Sequence, residues 1–554
     1  MLDNAGAAAQ LELLAELLEL TDSSPFKPRA YRNAARSLLT LPQPYTELLA
    51  AGTLTDIPGI GKGVASALRE LQDAGRMAEL ELLLEKIPHG VLDLRRVPGL
   101  GAKKLKTLFE RGITSLEQLE AACRDGTLAG WPGFGAKSVA KLLDGVLQLQ
   151  SFAGLWRRPR AQRVAALVKS VLCAEPGVRD VQVSGPLRRE MELVSQLVWI
   201  VVSESEPDRW QASLSKLDDL SEVRLTAPDR VSLRWADGFE GSVRRVPERA
   251  AGNALLESTG PEAYVRFVRE RPAGEFASEE AMLGAAGLPL LPPECRDFES
   301  NWERGAPPDL LTAEDLRGVL HCHTTYSDGK ASLAEMVEGA AARGLTYFGV
   351  CDHSRSAAYA GGLSVERIRE QHAEIDRLNA KWGDRIRIFK GIESDILADG
   401  SLDYPDDVLA LFDFVVASVH SGLEMDEETA TERVCRAMRN PYTTILGHPT
   451  GRLLLDRKGY PLDWPRVVRT AKEEGVVIEL NAHPWRLDVD WRHLPLVFSE
   501  GVQISINPDA HALDGLDDMR HGVAVARKAG ARTSHVLNCK DADELARFFQ
   551  KARS

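Results

Sequence analysis

Several features that would assign this chain of 554 residues to a particular class of protein are missing from its sequence. It has 7 cysteines and no Cys-x-x-Cys pair, which argues against a secreted protein held together by disulfides. No apolar run approaches the roughly 20 residues of a membrane span. The net charge of -13 excludes attraction of the whole chain to nucleic acid, so a DNA contact has to be local. We therefore expect a cytoplasmic chain of several domains without membrane contact.

A short phrase recurs three times in the first 150 residues, which otherwise show the apolar spacing of helices. It reads IPGIGKGVASAL at 57–68, VPGLGAKKLKTLF at 97–109 and WPGFGAKSVAKLL at 131–143. The glycines permit a left-handed backbone, and the helix that follows begins with free amides suited to a phosphate oxygen. The phrase resembles the helix-hairpin-helix motif, which holds the DNA backbone without reading its sequence. The alternative is a tight structural turn, above all for the third copy, which Trp131 opens. The residues that this resemblance assigns to DNA contact are Gly59, Gly61, Lys62, Gly99, Gly101, Lys103, Lys104, Gly133, Gly135 and Lys137.

Eleven of the twelve histidines lie after residue 320, where short apolar strands alternate with helices. Seven such strand–loop–helix units imply a parallel, barrel-like sheet, in which chemistry takes place where the strands end. Histidines and carboxylates stand at those ends, and such a buried cluster needs metal ions to compensate its charge. The mixture of ligands suits Mn²⁺, Zn²⁺ or Fe²⁺ and excludes an all-oxygen Ca²⁺ cage. The nine candidate ligands are His321, His323, Asp328, His353, Glu393, His420, His448, Asp509 and His511.

These motifs, in this order, resemble the PHP (polymerase and histidinol phosphatase) superfamily of phosphoesterases over residues 316 to about 550. The resemblance implies a distorted (β/α)7 barrel with two or three metal ions, Mn²⁺ before the others, and metal-assisted hydrolysis of a phosphoester. It also implies that Asp352 orients a metal ligand without binding the metal itself. Arg452 and Arg486 are candidates for holding phosphate oxygens, with an ordinary ion pair as the alternative for each. Pro508 departs from the family, which usually has threonine at that position.

The middle of the chain contains a second resemblance, in the segments GPLRRE and LVSQLVWIVV. With the three hairpins and the C-terminal half, these segments resemble bacterial family X DNA polymerases through essentially the whole chain. The palm motif of that family falls on Gly185, Arg188, Arg189, Gln196, Val198 and Ser242. The first three agree with the family. The amide of Gln196 and the isopropyl group of Val198 replace two metal-binding aspartates, and Ser242 stands where a third carboxylate is expected. Since these groups cannot hold Mg²⁺, the resemblance implies a palm that folds but does not polymerise.

We predict a multidomain chain with five regions. They are an N-terminal helical domain with a hairpin (1–85), a second hairpin region (86–155), a degenerate α+β nucleotidyltransferase-like palm (156–245), a thumb-like region with a linker (246–312) and the α/β PHP barrel (313–554).

The sequence favours a bacterial DNA-repair enzyme that associates with the nucleoid when it is on DNA. Its barrel is expected to act as a metal-dependent 3′–5′ exonuclease or 3′-end phosphodiesterase on gapped, nicked or 3′-blocked DNA. Relatives that remove 5′ deoxyribose phosphate use a lysine where this chain has Ala67, so that activity is expected to be absent. Three alternatives stay open: a polymerase whose metals are held by Glu190 or Glu192, a DNA-end-binding scaffold with structural metals, and a small-molecule phosphatase. The sequence identifies no protein partner.

Overall fold

The N-terminal part of the chain is a helical unit with one continuous hydrophobic core. The computed structural model describes residues 3–21, 26–39, 41, 43–271 and 274–552. The chain divides into two compact units, Met1–Ala153 and Gly154–Ser554. Leucines at helical spacing face inward, as Leu11, Leu14 and Leu17 of α1 do, and each of these three is fully buried. The core extends from Ala7 to Leu149, so the regions predicted as 1–85 and 86–155 pack as one body.

The helices of the first unit are short and joined by tight turns. Their bounds are α1 Asn4–Leu20, α2 Phe26–Leu39, α3 Tyr45–Ala51, α4 Lys62–Ala74, α5 Ala78–Lys86, α6 His89–Leu94, α7 Ala102–Glu110, α8 Leu116–Arg124 and α9 Ala136–Phe152. In the whole described part of the chain, no helix is both long enough and apolar enough to cross a membrane.

The second unit begins with the palm, a mixed sheet of five strands in the order β2-β4-β7-β6-β5. Strands β4 and β7 are parallel, and the other neighbours are antiparallel. Alternate residues of β4, such as Trp199 and Val201, face a core shared with α10. The bounds are β1 Trp156–Arg157, α10 Arg158–Cys173, β2 Val178–Ser184, α11 Gly185–Arg188, β3 Leu193–Val194, β4 Gln196–Ser203, α12 Asp208–Leu214, β5 Leu220–Ala227, β6 Arg230–Trp235 and β7 Glu240–Val246. Three helices follow: α13 Ala251–Thr259, α14 Glu262–Arg269 and α15 Glu279–Ala285.

The C-terminal region is a nearly closed barrel of seven parallel strands that lie side by side in chain order, β8 to β14. Closure comes from the segment after β14, where the carbonyl of Ala510 accepts a hydrogen bond from the amide of His323 at 2.9 Å. Helices cover the outer side, so the strands are buried on both faces and read as apolar runs. This architecture confirms the predicted distorted (β/α)7 fold.

The strands and helices of the barrel alternate up to the last strand, after which two helices follow. Their bounds are β8 Gly318–Cys322, α16 Leu333–Ala342, β9 Tyr347–Val350, α17 Val365–Trp382, β10 Arg387–Asp395, α18 Asp406–Leu409, β11 Phe414–Ser418, α19 Glu427–Met438, β12 Ile445–Leu446, α20 Trp464–Glu474, β13 Val477–Asn481, α21 Leu494–Ser499, β14 Ile504–Asn507, α22 Met519–Lys528 and α23 Ala542–Ala552.

Buried polar groups join the palm to the barrel within the second unit. Arg158, at the start of α10, is completely buried and donates to the carbonyls of Glu190 at 3.0 Å and His521 at 2.9 Å. Glu192 accepts a hydrogen bond from the indole of Trp491 at 3.0 Å. Because unpaired polar groups are costly in such surroundings, these contacts fix α10 beside the barrel.

Candidate functional site

All nine predicted metal ligands lie together at the carboxyl ends of the barrel strands. His321 and Glu393 belong to β8 and β10, and the others follow β8, β9, β11, β12 and β14. Parallel strands end at one edge of the sheet, so residues far apart in sequence meet there. Most of these side chains are buried, but Asp328 and His511 are 35% and 37% exposed. The cluster is therefore open to solvent on their side.

Three overlapping groups of side chains have ligand atoms close enough together to hold a metal ion. The first group is His323, Asp328, His353 and His511, the second is His321, His323 and Glu393, and the third is His353, Glu393 and His420. His448 adjoins this cluster, 3.0 Å from Glu393, and Asp509 lies 3.1 Å from His323. Since three of the ligands belong to two groups each, the arrangement fits a polynuclear centre.

The cluster also contains buried polar atoms without a hydrogen-bond partner. They include Nε2 of His321, Nδ1 of His323 and Oε2 of Glu393. Leaving such an atom unsatisfied costs about 1–3 kcal/mol. Lone pairs of imidazole and carboxylate that point into one shared space are what a divalent cation needs, so the residues fit a metal centre.

The electrostatics of the cluster favour the binding of positive charge. Burial opposes ionisation of Glu393, but His420, His321 and His353 outweigh it and hold the pKa of Glu393 well below its usual range. Burial, and then the charge of His511, lowers the pKa of His323 to about 3, which leaves a neutral imidazole able to bind a metal. Burial also disfavours the charged form of His420, but the carboxylates of Glu393 and Asp395 raise the pKa of His420 to about 10. Metal binding displaces such a proton.

Two buried carboxylates that the sequence analysis did not single out orient the ligands. Glu479 accepts hydrogen bonds from Nδ1 of His321 at 2.8 Å and from the backbone amide of His448 at 2.7 Å. Asp395 accepts one from Nδ1 of His420 at 2.5 Å. The bonds to Nδ1 fix the rings of His321 and His420 so that their Nε2 atoms remain for a metal. The signal in the sequence was a carboxylate inside an otherwise apolar strand, as in VVIELN and KGIESD.

Asp352 holds the loop that follows His323. Its carboxylate accepts hydrogen bonds from the backbone amide and hydroxyl of Thr324 at 2.7 and 2.6 Å and from the hydroxyl of Ser327 at 2.5 Å. Gln371 of α17 donates to it at 2.6 Å. Asp352 is thus bound to the loop and to α17, and its orienting role stays a prediction.

The structure separates the two candidate arginines. Nε of Arg452 donates to the carbonyl of Arg486 at 2.9 Å, and its two terminal nitrogens bind Asp490 and the carbonyl of Leu487. Its guanidinium therefore braces this loop, in keeping with the ion pair that was the alternative to a phosphate contact. Nε of Arg486 instead lies 3.4 Å from Asp509, at the edge of the metal cluster.

The three Pro-Gly turns share one local structure in the first unit. The first glycine of each turn is left-handed, with φ of 91° at Gly59, 82° at Gly99 and 86° at Gly133. The second glycine, Gly61, Gly101 or Gly135, is the N-cap of α4, α7 or α9, and no side chain caps those amides. Lys62, Lys103 and Lys137 are exposed beside them, whereas Lys104 donates to the hydroxyl of Ser138 at 2.6 Å. This geometry leaves each turn available to a phosphate.

The palm positions come together on adjacent strands, but without carboxylates. Val198 of β4 is in register with Ser242 of β7, and Gln196 lies two residues earlier on the same face. Val198 is buried in an apolar cluster, and Gln196 is exposed. Gly185, with φ of 74°, brings its backbone against Val198. The sequence thus places an amide, an isopropyl group and a hydroxyl where the family has three carboxylates.

The two arginines of the palm motif make ion pairs within the chain. Arg188 donates to the carboxylate of Glu279 at 2.7 Å, and Arg189 lies 3.3 Å from that of Asp297. The two carboxylates considered as relocated ligands are also occupied. Glu190 lies 3.2 Å from Arg158, and Glu192 accepts from the guanidinium of Arg492 at 2.8 Å. Among the described residues, the His, Cys, Asp and Glu groups close enough to hold a metal all lie in the barrel.

Comparison with known proteins agrees with this layout. A helix-hairpin-helix domain model matches residues 2–77, a tandem helix-hairpin-helix model matches 91–146, and the PHP domain model matches 320–483. These matches and the relatives below support DNA binding by the hairpins and divalent metal binding by the barrel.

The relatives fall into two groups. The DNA polymerase/3′-5′ exonuclease PolX of Bacillus subtilis is 34% identical over 564 aligned residues, which cover 98% of either chain. A probable phosphatase of Acetivibrio thermocellus is 33% identical over 30% of this chain and 67% of its own. Another, of Caldanaerobacter subterraneus, is 27% identical over 43% of this chain and 93% of its own. The PHP domain and these relatives make the chain a hydrolase, and it belongs to the PolX family of DNA polymerases/3′-5′ exonucleases.

Proposed function

We propose that the chain is a Mn²⁺-dependent 3′–5′ exonuclease, or 3′-end phosphodiesterase, which acts on gapped or nicked DNA in the bacterial cytoplasm and does not synthesise DNA. One contrast carries the proposal. The barrel holds seven of the nine candidate ligands in three overlapping groups, with His448 and Asp509 beside them, whereas Gln196, Val198 and Ser242 offer the palm no carboxylate. Family membership supports DNA as the substrate.

The residues of the barrel have distinct tasks in phosphodiester hydrolysis. Divalent ions held by the nine ligands would activate a water molecule and neutralise the charge that builds on the phosphate. Asp328 and His511 border the open side, where the phosphate enters. Arg486, which lies 3.4 Å from Asp509, would donate to a non-bridging phosphate oxygen. The buried ligands, oriented by Glu479 and Asp395, keep their geometry without rearrangement during the reaction.

The palm keeps its fold and serves as part of the DNA-binding body. Its apolar cluster around Val198 has no group that binds Mg²⁺, and Glu190 and Glu192 pair with arginines. The lyase reaction of some relatives is also expected to be absent, because Ala67 is buried in α4 and offers no amine.

The central experiment incubates the chain with 3′-labelled gapped DNA, Mn²⁺ or Mg²⁺, and deoxynucleoside triphosphates. We expect the labelled strand to shorten in Mn²⁺ and never to lengthen. His323→Ala and Asp509→Ala each remove a ligand and are expected to slow hydrolysis at least about 100-fold. His89→Ala, which removes an exposed histidine of the first unit, is the matched control and keeps the parental rate. Template-directed lengthening would contradict the loss of polymerisation, and parental rates in both ligand variants would contradict the assignment to the barrel.

Metal removal separates the enzyme from a DNA-end-binding scaffold. After chelation and dialysis we expect the chain to bind DNA through its hairpins but not to degrade it, because the reactive groups of the barrel depend on the ions. Adding back Mn²⁺, Zn²⁺ or Fe²⁺ in turn identifies the ion that restores hydrolysis, and we expect Mn²⁺ to restore the most. A chain that binds DNA ends but degrades nothing with any of the three ions would favour the scaffold.

A further inference from the structure

A cleft of about 800 Å³ opens beside the metal ligands Asp509 and His511. One wall is the beginning of palm helix α10, with Arg157, Arg160 and Arg163. The other walls are formed by the loops after β8, β12, β13 and β14 and by the start of α22. The catalytic mouth of the barrel is thus continued by a wall that belongs to the palm.

The arginines of this wall come from the segment WRRPRAQR at 156–163, which the sequence analysis did not use. Arg160 and Arg163 are three residues apart and therefore lie on one side of α10, and Arg157 immediately precedes the helix. Arg158, between them, points the other way and is the completely buried residue that ties α10 to the barrel. The contact that fixes the helix therefore also sets the other three guanidinium groups into the cleft.

Positive charge predominates in the cleft. Five cationic side chains line it, against three acidic ones besides the ligand Asp509. Arg163, Lys330 and Arg520 are exposed, and none of their side chains makes a hydrogen bond or close ion pair within the described parts of the chain. Of the acidic groups, Asp517 is held by Arg343 at 2.7 Å. A chain of net charge -13 thus concentrates unpaired cations at the entrance of its metal centre.

An exposed aromatic ring accompanies the cations. Trp485, in the loop after β13, is 49% exposed, and the guanidinium of Arg157 lies over its ring at 4.0 Å. Arg160 covers the ring of Trp156 in the same way at 4.0 Å. Cationic side chains that follow a backbone, together with aromatic faces on which bases stack, are the features that bind single-stranded nucleic acid.

We propose that this cleft binds the single-stranded 3′ terminus of DNA and delivers it to the metal centre. Arg163, Lys330 and Arg520 contact its phosphates, and Trp485 stacks on a base. The volume of the cleft falls within the range of about 300–1,000 Å³ that is usual for ligand-binding pockets. The cleft therefore accepts a few unpaired nucleotides and not a duplex. The inference deepens the proposed function and rests on it. It also gives the palm a task after the loss of its carboxylates, since the palm supplies one wall of the exonuclease channel.

The test compares a single-stranded oligonucleotide of about 20 nucleotides, long enough to fill a strand-binding groove, with bis(p-nitrophenyl) phosphate, which reaches the metal centre alone. For the double variant Arg163→Ala/Arg520→Ala we expect the ratio of kcat/KM for DNA to kcat/KM for the small ester to fall about tenfold, through KM. The plot of log kcat/KM for DNA against log salt becomes less steep by roughly 0.7 for each cation removed. Arg209→Ala/Arg377→Ala, which removes two exposed arginines outside the cleft, is the matched control.

A second pair of variants tests the stacking contact. Trp485→Ala is expected to lower the same ratio at least about fivefold, and Trp485→Phe to restore most of it, because a phenyl ring still offers a face to a base. An equal ratio in the parent, the arginine variant and Trp485→Ala would overturn the proposal.

Binding without hydrolysis keeps this test separate from that of the proposed function. Fluorescence anisotropy of the labelled oligonucleotide is measured in chelator, where no cleavage occurs. We expect weaker binding by Arg163→Ala/Arg520→Ala and by Trp485→Ala than by the parent and the control. If the parent binds in this pattern but hydrolyses no DNA with any metal, the exonuclease proposal fails and the cleft remains a single-strand site. If the variants bind as the parent does, the cleft proposal fails.

Discussion

Replacement of Glu393 by glutamine is expected to slow hydrolysis by orders of magnitude while leaving the barrel folded. Oε1 of Glu393 lies 3.4 Å from His321, 3.2 Å from His420 and 3.0 Å from His448. Its other oxygen lies 2.8 Å from His353. Glu393 is also the carboxylate that two of the three candidate metal groups share. Glutamine preserves the shape but removes the negative charge and offers an amide hydrogen where a lone pair is needed.

The expected effect is large, because one substitution disturbs more than one ion. Loss of about 4 kcal/mol of transition-state stabilisation, a modest share of what bound metals contribute, lowers kcat about 1000-fold. Inductively coupled plasma mass spectrometry on the purified variant should show fewer ions per chain than in the parent. Glu338→Gln, an exposed glutamate of α16, is the matched control. A Glu393→Gln variant with the full metal content and the parental kcat would show that the barrel works in another way.

Replacement of Arg158 by alanine is expected to cause the largest loss of stability. The guanidinium is completely buried, binds the carbonyls of Glu190 and His521, and lies 3.2 Å from the Glu190 carboxylate. Burial lowers the pKa of Arg158, and the charges of Glu190 and Glu192 oppose that shift. Without the arginine, two carbonyls and a carboxylate lose their partner and a cavity remains. Removing one member of a buried ion pair costs about 3–5 kcal/mol.

Tryptophan fluorescence during denaturation measures this effect, since nine of the ten tryptophans lie after residue 153 and report on the second unit. A chain of two units need not unfold in one step, so the transition of the second unit is compared between variants. Arg163→Ala, from the same helix but exposed, is expected to change the stability by less than about 0.5 kcal/mol. Equal midpoints for the two variants would mean that Arg158 does not hold the palm to the barrel.

The nine candidate ligands could be located from sequence because most of them stand at the end of an apolar strand or within a few residues after it, and Asp328 lies in the loop after the first of these strands. In a parallel barrel those ends form one edge, so position along the strand already gives position in space. The same holds for the hairpins, where the Pro-Gly-x-Gly pattern specifies the left-handed glycine and the uncapped helix start within five residues. Gln196, Val198 and Ser242 could also be placed, because the palm motif has a fixed order.

Other parts of the site could not be read in this way. Glu479 lies 158 residues from its partner His321, and its place inside an apolar strand marks it as unusual without showing which side chain it orients. The guanidinium of Arg452 is chemically suited to a phosphate contact, but it is hydrogen-bonded to loop 486–490. Hydrogen-bond partners of this kind are set by packing between distant segments, and the local pattern does not contain them.

The sequence alone determined which residues can bind metal, which three palm positions lack carboxylates, and that the DNA-binding turns precede both. These features follow from the chemistry of single side chains and from the periodicity of the sequence. That period is two residues in a strand and three to four residues in a helix. Only the tertiary structure decided which nitrogen of His321 and of His420 remains available, which arginine lies at the edge of the metal cluster, and that α10 of the palm forms a wall of the barrel's cleft. The reason is that such properties depend on the distance between segments up to 363 residues apart, as Arg158 and His521 are, and that distance is fixed only when the two cores pack together.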